Sequence, residues 1–460
     1  MILAADLGST NFKAALFAED GRRIGEASLP LPYEIQTAAC SELSPEAVAG
    51  CFFEVLSGAL TAAGVAVDDV RRISLTSQAQ TFCICDDKGK PVSPFLGWTD
   101  LRAEEEAAKL QTRLGDSFHQ QTGWPKVRPG HMLSKVLWWR MRHGLPGDHR
   151  IVSLPSYLAM QLGAAHVSDS NLAAMSGFYS IPGKCWWARA IEAAGISAAQ
   201  LGLVVETGKP VSTLSENRRP GYSESLEIVF AGNDHTAGAV GCGCRKGRSV
   251  LTLGTAGVIY RYAGETPGPY SPNGLWRPYP GGSYYELFCL DHACSALDWA
   301  DRFLFGNVDS KRFVEGARQA MVSESSALFY PGSWGSAAAW AGDGGEEESA
   351  YAVLEGIAFA LRASTGEPFS VGGEEMVILG GGSRLDFWVQ LIANIFCRPI
   401  IRGSNDGLDG AALLAGIPII ERRAAEVFLP DPSTSHLLEA RFARWNALSL
   451  AQSRKKISEP

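Results

Sequence analysis

Two short stretches, about 240 residues apart, constrain the fold of this chain more than anything else in it. ILAADLGSTNFKAALF, residues 2–17, and SVLTLGTAGVIYRY, residues 249–262, share one plan. Each is an apolar strand, a Leu-Gly turn carrying a hydroxyl residue, and a second apolar strand. Such a repeat predicts two related domains that face each other. The length of 460 residues agrees, because it exceeds what one ordinary core holds. The run GCGCRKGR, where small residues give way to a basic turn, marks the boundary. The expected division is 1–245, then 246–425, then a tail over 426–460 that packs on the second domain or is partly disordered. With no linker-like composition between them, the halves are expected to share an interface with a hinge.

Other elements follow from local pattern. SPEAVAGCFFEVLSGALTAAG has a Ser-Pro start, helical apolar spacing and a stop at Gly64. VRRISLTSQ and TFCICDDKGKPV are strand-like, and TDLRAEEEAAKLQTRLG is a helix with a charged outer face. YAVLEGIAFALRA is apolar nearly all round, which predicts a buried helix. MVILGGGSRLDFWVQLIANIFCRPIIRG predicts strand, glycine turn, helix and strand, and LDGAALLAG a helix of small residues. The Trp-rich region 115–230 is mixed, and the polar tail from about 430 carries one modest helix.

Composition excludes several classes. The chain is 46% hydrophobic and 20% charged, with no apolar run long enough to span a bilayer and no signal peptide in MILAADLGST. A cytosolic protein without a membrane role is expected. A net charge of −8 with dispersed Lys and Arg provides no field for nucleic acid. Ten cysteines in this length do not form a disulfide framework. Cys83 and Cys85 share one strand face, Cys242 and Cys244 have the same spacing, and both pairs read as core thiols rather than zinc ligands.

The chemistry sits in the turns. In DLGSTNFK, the residues Gly8, Ser9, Thr10 and Asn11 between two strands form a nest of N–H groups and hydroxyls suited to phosphate, to which Lys13 adds charge. Asp6 at the strand end can hold Mg²⁺ through water. Gly-Ser-Thr turns are also common in plain hairpins. LGTAG offers Gly254 and Thr255 as a second nest, and LGGGSRLDFW places Gly380, Gly381, Gly382 and Ser383 before a helix without GxGxxG spacing. In AGNDHTAGAVGCG, Asp234 and His235 stand among small residues with only Asn233 nearby to partner a carboxylate. A solvent-facing turn acid would look the same on this stretch alone.

The order of these motifs resembles the FGGY carbohydrate kinases, with a pattern most like xylulokinases. ADLGSTNFKAALF, LTSQAQTFCICDDKGKPVSPFLGWTDLRA, AGNDHTAGAVGCG, LTLGTAGV, AVLEGIAFALR, ILGGGSRLDFWVQLIANIFCRPI and LDGAALLAG follow in that order over roughly residues 1–420. The resemblance implies an α/β chain of two actin-like (ribonuclease H-like) ATPase domains with a catalytic cleft between them. ATP would lie on the second domain and a sugar or polyol, a ketopentose such as xylulose above all, on the first. By that likeness Ser9, Thr10, Asn11 and Lys13 approach the transferred phosphate, and Thr255 meets it from the other side. Gly380 to Ser383 line adenosine, Asp6 lies by Mg²⁺, and Asp234 is the base. Gln78, Ala79, Gln80, Trp98, Asp100 and His235 would face the substrate, and a homodimer is a possible assembly.

The chain departs from the pattern in three places. Gln78-Ala79-Gln80 matches neither the Gln-Met-His of xylulokinases nor the Gln-Arg-Glu of glycerol kinases. His235 stands where xylulokinases carry Asn, and a local hydrogen bond is its simpler reading. The loop 329–350 is short and lacks a Gly-Glu-Arg-x-Pro run. An actin-like ATPase of another class and a catalytically silent sugar sensor are the competing expectations.

Overall fold

The computed structural model describes residues 1–214, 219–268, 271, 274–306, 309–320, 325–332, 339–366, 374–418, 420 and 426–457. Strands β1 (Ile2–Leu7) and β2 (Asn11–Phe17) are mostly apolar and, apart from the exposed Lys13, are buried or half-buried on both faces, as a largely apolar strand requires. With β3 (Arg23–Pro30), β4 (Arg72–Ser77), β5 (Pro210–Ser212) and β6 (Glu227–Asn233) they form a sheet of order β5-β6-β4-β1-β2-β3. β1, β4 and β6 run parallel, and β2 runs against β1. Helix α1 (Pro45–Ala63) starts where the Ser44 hydroxyl accepts the Ala47 N–H and stops at left-handed Gly64. It is the one described helix long and apolar enough to cross a membrane, but its Val48, Phe52, Val55 and Leu56 pack on Leu3, Phe12, Leu16 and Leu75 of the sheet.

The segment between β4 and β6 builds a third core beside this sheet. Helix α2 (Met132–His143) contributes Leu133, Val136 and Leu137 to a cluster with Phe82, Leu110, Phe118, Trp124 and Phe178. A short helix, α3 (Ser170–Met175), follows, capped by Asp169. β6 then runs directly into α4 (Asp234–Gly241), whose first turn is held by the Asn233 side chain accepting the Thr236 N–H.

The second sheet comprises β7 (Arg248–Leu253), β8 (Gly257–Gly264), β9 (Leu275–Tyr279), β10 (Ser283–Leu290), β11 (Glu375–Leu379), β12 (Ile400–Arg402) and β13 (Glu426–Phe428), in the order β9-β10-β8-β7-β11-β12-β13. β10-β8-β7-β11-β12 repeats β3-β2-β1-β4-β6: an antiparallel meander, then parallel strands. The duplication legible in two hairpins thus extends to five strands in each sheet. Helices α5 (Cys294–Phe305), α6 (Glu346–Thr365) and α7 (Asp386–Phe396) cover this sheet around a core that includes Leu251, Phe288, Leu354, Trp388 and Ile392.

Two helices trade sheets. α4 follows the first sheet, yet its Ala239 packs on Val250, Val258, Tyr260, Tyr285 and Val377 of the second. α8 (Gly407–Leu414) follows the second sheet, yet its Leu408, Ala411 and Ala412 pack on Ile2, Ala4, Ala15 and Val229 of the first. The pair cross at glycines: a Cβ on Gly410 would stand 1.8 Å from the Ala237 oxygen, and one on Gly241 would stand 2.5 Å from the Asp406 oxygen. The small residues of AGNDHTAGAVGCG therefore serve a helix crossing, which the sequence pattern did not disclose.

Two local expectations shift. The charged helix begins at Glu104 rather than at the preceding Thr-Asp. The tail helix, α9 (Pro432–Ile457), is 26 residues long and buries Leu438 and Trp445 in the core of the second sheet, so its polar sequence hides a packed face. Of the short loop 329–350, residues 333–338 lie outside the described residues.

Candidate active site

Strand register brings Asp6 beside Thr76 and Ser77 beside Asn233. β1, β4 and β6 consequently end side by side, and Gly8–Thr10, Gln78–Gln80 and Asp234 all emerge at their carboxyl edge, the place where open α/β sheets bind ligands. In the first turn, the carbonyl oxygens of Gly8, Ser9 and Thr10 accept from Gln78 Nε2 (3.2 Å), the Tyr33 hydroxyl (3.0 Å) and the Leu31 N–H (2.9 Å). In a trans peptide the N–H points opposite to the carbonyl. With those acceptors tied back into the protein, the Ser9 and Thr10 N–H groups face the other way, as an anion nest requires. Asn11 opens β2, and Lys13, opposite Asp6 in register, is exposed.

Asp6 and Asp234 meet where β1 and β6 end. The Asp6 carboxyl is pushed up to about 7, by burial first and then by the Asp234 charge, while Lys13 pulls it down and Asp406 raises it further. Its Oδ1 is buried without a hydrogen-bond partner. The open side of Gly407 lies 3.8 Å from both Asp6 Oδ2 and the Asp234 carbonyl oxygen. Asp234 itself sits in the first turn of α4, where the helix end favours a carboxylate. Its Oδ1 accepts the His235 N–H at 2.9 Å, and the His235 side chain is exposed.

At the 78–80 turn, expected to face the sugar, Gln78 is buried, donates to the Gly8 carbonyl and accepts from the Thr81 hydroxyl on Oε1, so this residue braces the Gly8–Thr10 turn. Ala79 is half-buried. Gln80 adopts a left-handed φ of 67°, with its side-chain amide donating to the Met175 carbonyl and accepting the Met132 N–H. Asp100 is placed otherwise than expected. It is buried, its oxygens accept from the Ser41 N–H, the Arg102 N–H and the Arg102 guanidinium, and it buttresses the chain rather than offering a free carboxylate. Trp98 is 47% exposed and remains available to a ligand.

Sequence reasoning missed the residues that hold this side together. Lys135 on α2 is fully buried and donates to the carbonyls of Gln80 (2.9 Å), Leu96 (3.3 Å) and Gly97 (2.6 Å), clamping the 78–80 and 96–100 loops. Burial lowers its ammonium to about 7, against a raising pull from Asp100. Trp124, His131 and Arg277 also gather here. The first two lie in the stretch where no periodicity marked them, and Arg277 comes from the other half of the chain.

On the second sheet, the LGTAG turn is anchored to α5: the Thr255 carbonyl accepts from Ala293 N–H and the Ser295 hydroxyl, and the Gly254 carbonyl accepts from Cys294 N–H. The Thr255 side chain is exposed. Gly380 needs its φ of 88°, and a Cβ there would lie 2.5 Å from the Leu253 oxygen; Gly382 is likewise pressed against the Leu253 side chain. Those two glycines bring the third turn against the second. Gly381 faces open space, while the Ser383 hydroxyl closes the turn on the Gly380 carbonyl.

The N-terminal domain of the FGGY family of carbohydrate kinases matches residues 1–241. The chain is 26% identical over 438 residues to the xylulose kinase of Bacillus subtilis (strain 168), covering 90% of this chain and 87% of that one. It is 26% identical over 268 residues to the gluconokinase of the same organism, covering 56% and 51%. The fold is that of the xylulose kinase of Rhodospirillum rubrum, with a TM-score of 0.86 at 20% identity over 98% of this chain and 99% of that one. The duplicated sheets are therefore the two actin-like domains of that architecture. The chain belongs to the FGGY family of carbohydrate kinases and is a phosphotransferase that uses ATP to phosphorylate a sugar hydroxyl.

Proposed function

We propose that the reaction occurs where β1, β4 and β6 end, with Asp234 as the base that takes the proton of the attacking hydroxyl. The observation that carries this reading is the convergence of Asp6 and Asp234 beside the Gly8–Thr10 turn. Phosphoryl transfer asks the protein for alignment and charge neutralisation more than for covalent help. Ser9, Thr10, Asn11 and Lys13 would meet the transferred phosphate from one side, with Gly254 and Thr255 on the other. Gly380 to Ser383 would carry the adenosine, Gly381 offering it the open backbone. Gln78, Ala79, Gln80, Trp98 and His235 would border the acceptor, and Asp100 would act by holding Arg102 and Ser41 in place.

A divalent ion fits these residues. Asp6 keeps a buried oxygen without a partner and shares its space with a second carboxylate, so a cation relieves both. Among the described residues no group of three His, Cys, Asp or Glu could hold a metal ion. Mg²⁺ on Asp6 through water suits such a sparse donor set. When bound, the ion supplies charge neutralisation at the transferred phosphate. The chain is proposed to divide near residue 245, with 246–425 as the nucleotide domain and 426–460 as a tail docked on it; the pairing of β13 with β12 supports that docking. Among neutral acceptors a ketopentose such as xylulose is favoured by the names of the relatives.

ADP release measured against ketoses, aldoses, polyols and sugar acids tests the reading. One acceptor should stimulate it strongly, and Asp234→Ala should lower kcat by about 10²–10⁴-fold. ATP turnover indifferent to every acceptor and to the substitution would sink it.

A further inference from the structure

Behind the Gln80 turn, the two halves of the chain bury a group of hydrogen-bond donors that have no acceptor. Arg277 on β9 is 1% exposed. Its Nη1 donates to the Trp276 carbonyl, but Nε and Nη2 are buried without partners. No carboxylate among the described residues pairs with it, and burial brings its guanidinium down to about 10. His131, the residue before α2, accepts the Arg128 N–H on Nδ1 at 3.2 Å. A ring that accepts on Nδ1 and is kept neutral by burial, near 3, carries its proton on Nε2. That nitrogen is also buried without a partner. Both side chains lie against Trp124: the guanidinium carbon is 4.4 Å from its ring centre and the imidazole centre is 4.7 Å away. Left-handed Gly123 makes the room, since a Cβ there would lie 2.7 Å from Arg277 Nη1.

Leaving a charged donor buried and unpaired costs several kcal/mol, so such a group calls for an anion. Chains of contacts also link the group to the proposed reaction site on both flanks. Trp124 Nε1 donates to the same Met175 carbonyl that holds Gln80, and Met132, next to His131, donates to Gln80 Oε1. On the other flank Arg277 pairs in register with Tyr285, which stacks on Tyr260 at 4.3 Å. The Tyr260 hydroxyl bonds Thr236, two residues beyond Asp234, at 2.8 Å.

We propose that Arg277 and His131 form the seat for a carboxylate of the acceptor, so that the substrate is an open-chain sugar acid held at the end remote from the hydroxyl that Asp234 deprotonates. This rests on the kinase reading above and replaces the neutral ketopentose within it. The donors come from opposite halves, so the seat opens when the halves part, and a bound carboxylate bridges them. A polyol of the same length leaves Arg277 unpaired and is rejected for that reason.

D-Gluconate and D-glucitol differ only in whether C1 is a carboxylate or an alcohol, which makes them the discriminating pair. ADP release by the full chain should favour gluconate, or the five-carbon pair xylonate over xylitol, by at least about tenfold in kcat/KM, the worth of one charged hydrogen bond. Arg277→Met should collapse that preference towards one, and Arg277→Lys should retain part of it. A thermal melt checks that each variant folds. Robust turnover of D-xylulose without turnover of either acid overturns the carboxylate seat and leaves the kinase reading standing. If no acceptor is turned over, the kinase reading fails, and calorimetric titration with gluconate then decides: binding weakened in Arg277→Lys and lost in Arg277→Met supports an anion seat, and a flat isotherm for the unaltered chain overturns it.

Discussion

Asp169 is a carboxylate whose worth changes with pH. It is 1% exposed, caps α3 through Oδ1 to the Leu172 N–H at 2.9 Å, and leaves Oδ2 buried without a partner. Burial pushes it up to about 7, outweighing the N–H groups and the Thr207 hydroxyl that pull it down. The folded chain thus holds a proton that the unfolded chain releases near 4. Its contribution is complete below about pH 4 and is lost as pH rises through 7. Asn caps a helix as well as Asp and carries no charge. Asp169→Asn should therefore leave Tm unchanged at pH 4 and raise it at pH 8. Equal shifts at both values would show that the carboxylate is already compensated.

At the scale of elements, the α4–α8 crossing separates glycines by what surrounds them. Gly410→Ala drives a methyl into the Ala237 carbonyl, and should destabilise by about 3 kcal/mol. Gly238 lies one turn beyond Asp234 and has nothing within 4 Å of its missing Cβ. Gly238→Ala should stabilise α4 by up to about 1 kcal/mol. If the acceptor uses that open face, the same change raises its KM. Denaturant titration and acceptor kinetics check both; a Gly410→Ala chain as stable as the parent would mean that the helices slide apart freely. Within α4 itself the small residues differ in the same way: Gly241 is pressed against the Asp406 oxygen, whereas Gly238 faces open space.

In the whole molecule, the tail is joined to the second domain by charge as well as by apolar packing. Arg441 Nε and Nη2 bond the Glu355 carboxylate at 2.6 and 2.7 Å, and that carboxylate is 1% exposed on α6. Trp445 donates to the Phe329 carbonyl at 2.8 Å. Removing one partner of a buried pair strands the other, so Arg441→Met should cost about 3–5 kcal/mol. The double change Arg441→Met with Glu355→Gln should recover much of that loss. Thermal unfolding of the single and double variants checks this; no recovery in the double would place the cost in packing instead.

Element types were legible along most of the chain because periodicity, caps and glycine stops are local. The repeated strand–turn–strand, Gly64, the turns at 8–11, 254–255 and 380–383, and the residue types around Asp234 all follow from neighbouring residues. What only the tertiary structure decided depends on residues distant in sequence. It exchanged α4 and α8 between sheets, put Asp6 against Asp234, buttressed Arg102 with Asp100, and buried Lys135 among three carbonyls. It also set Arg277 of one half beside His131 of the other. Local pattern records how each residue turns the chain, whereas a buried charge is defined by what reaches it from elsewhere, and that is decided only when both sheets are packed.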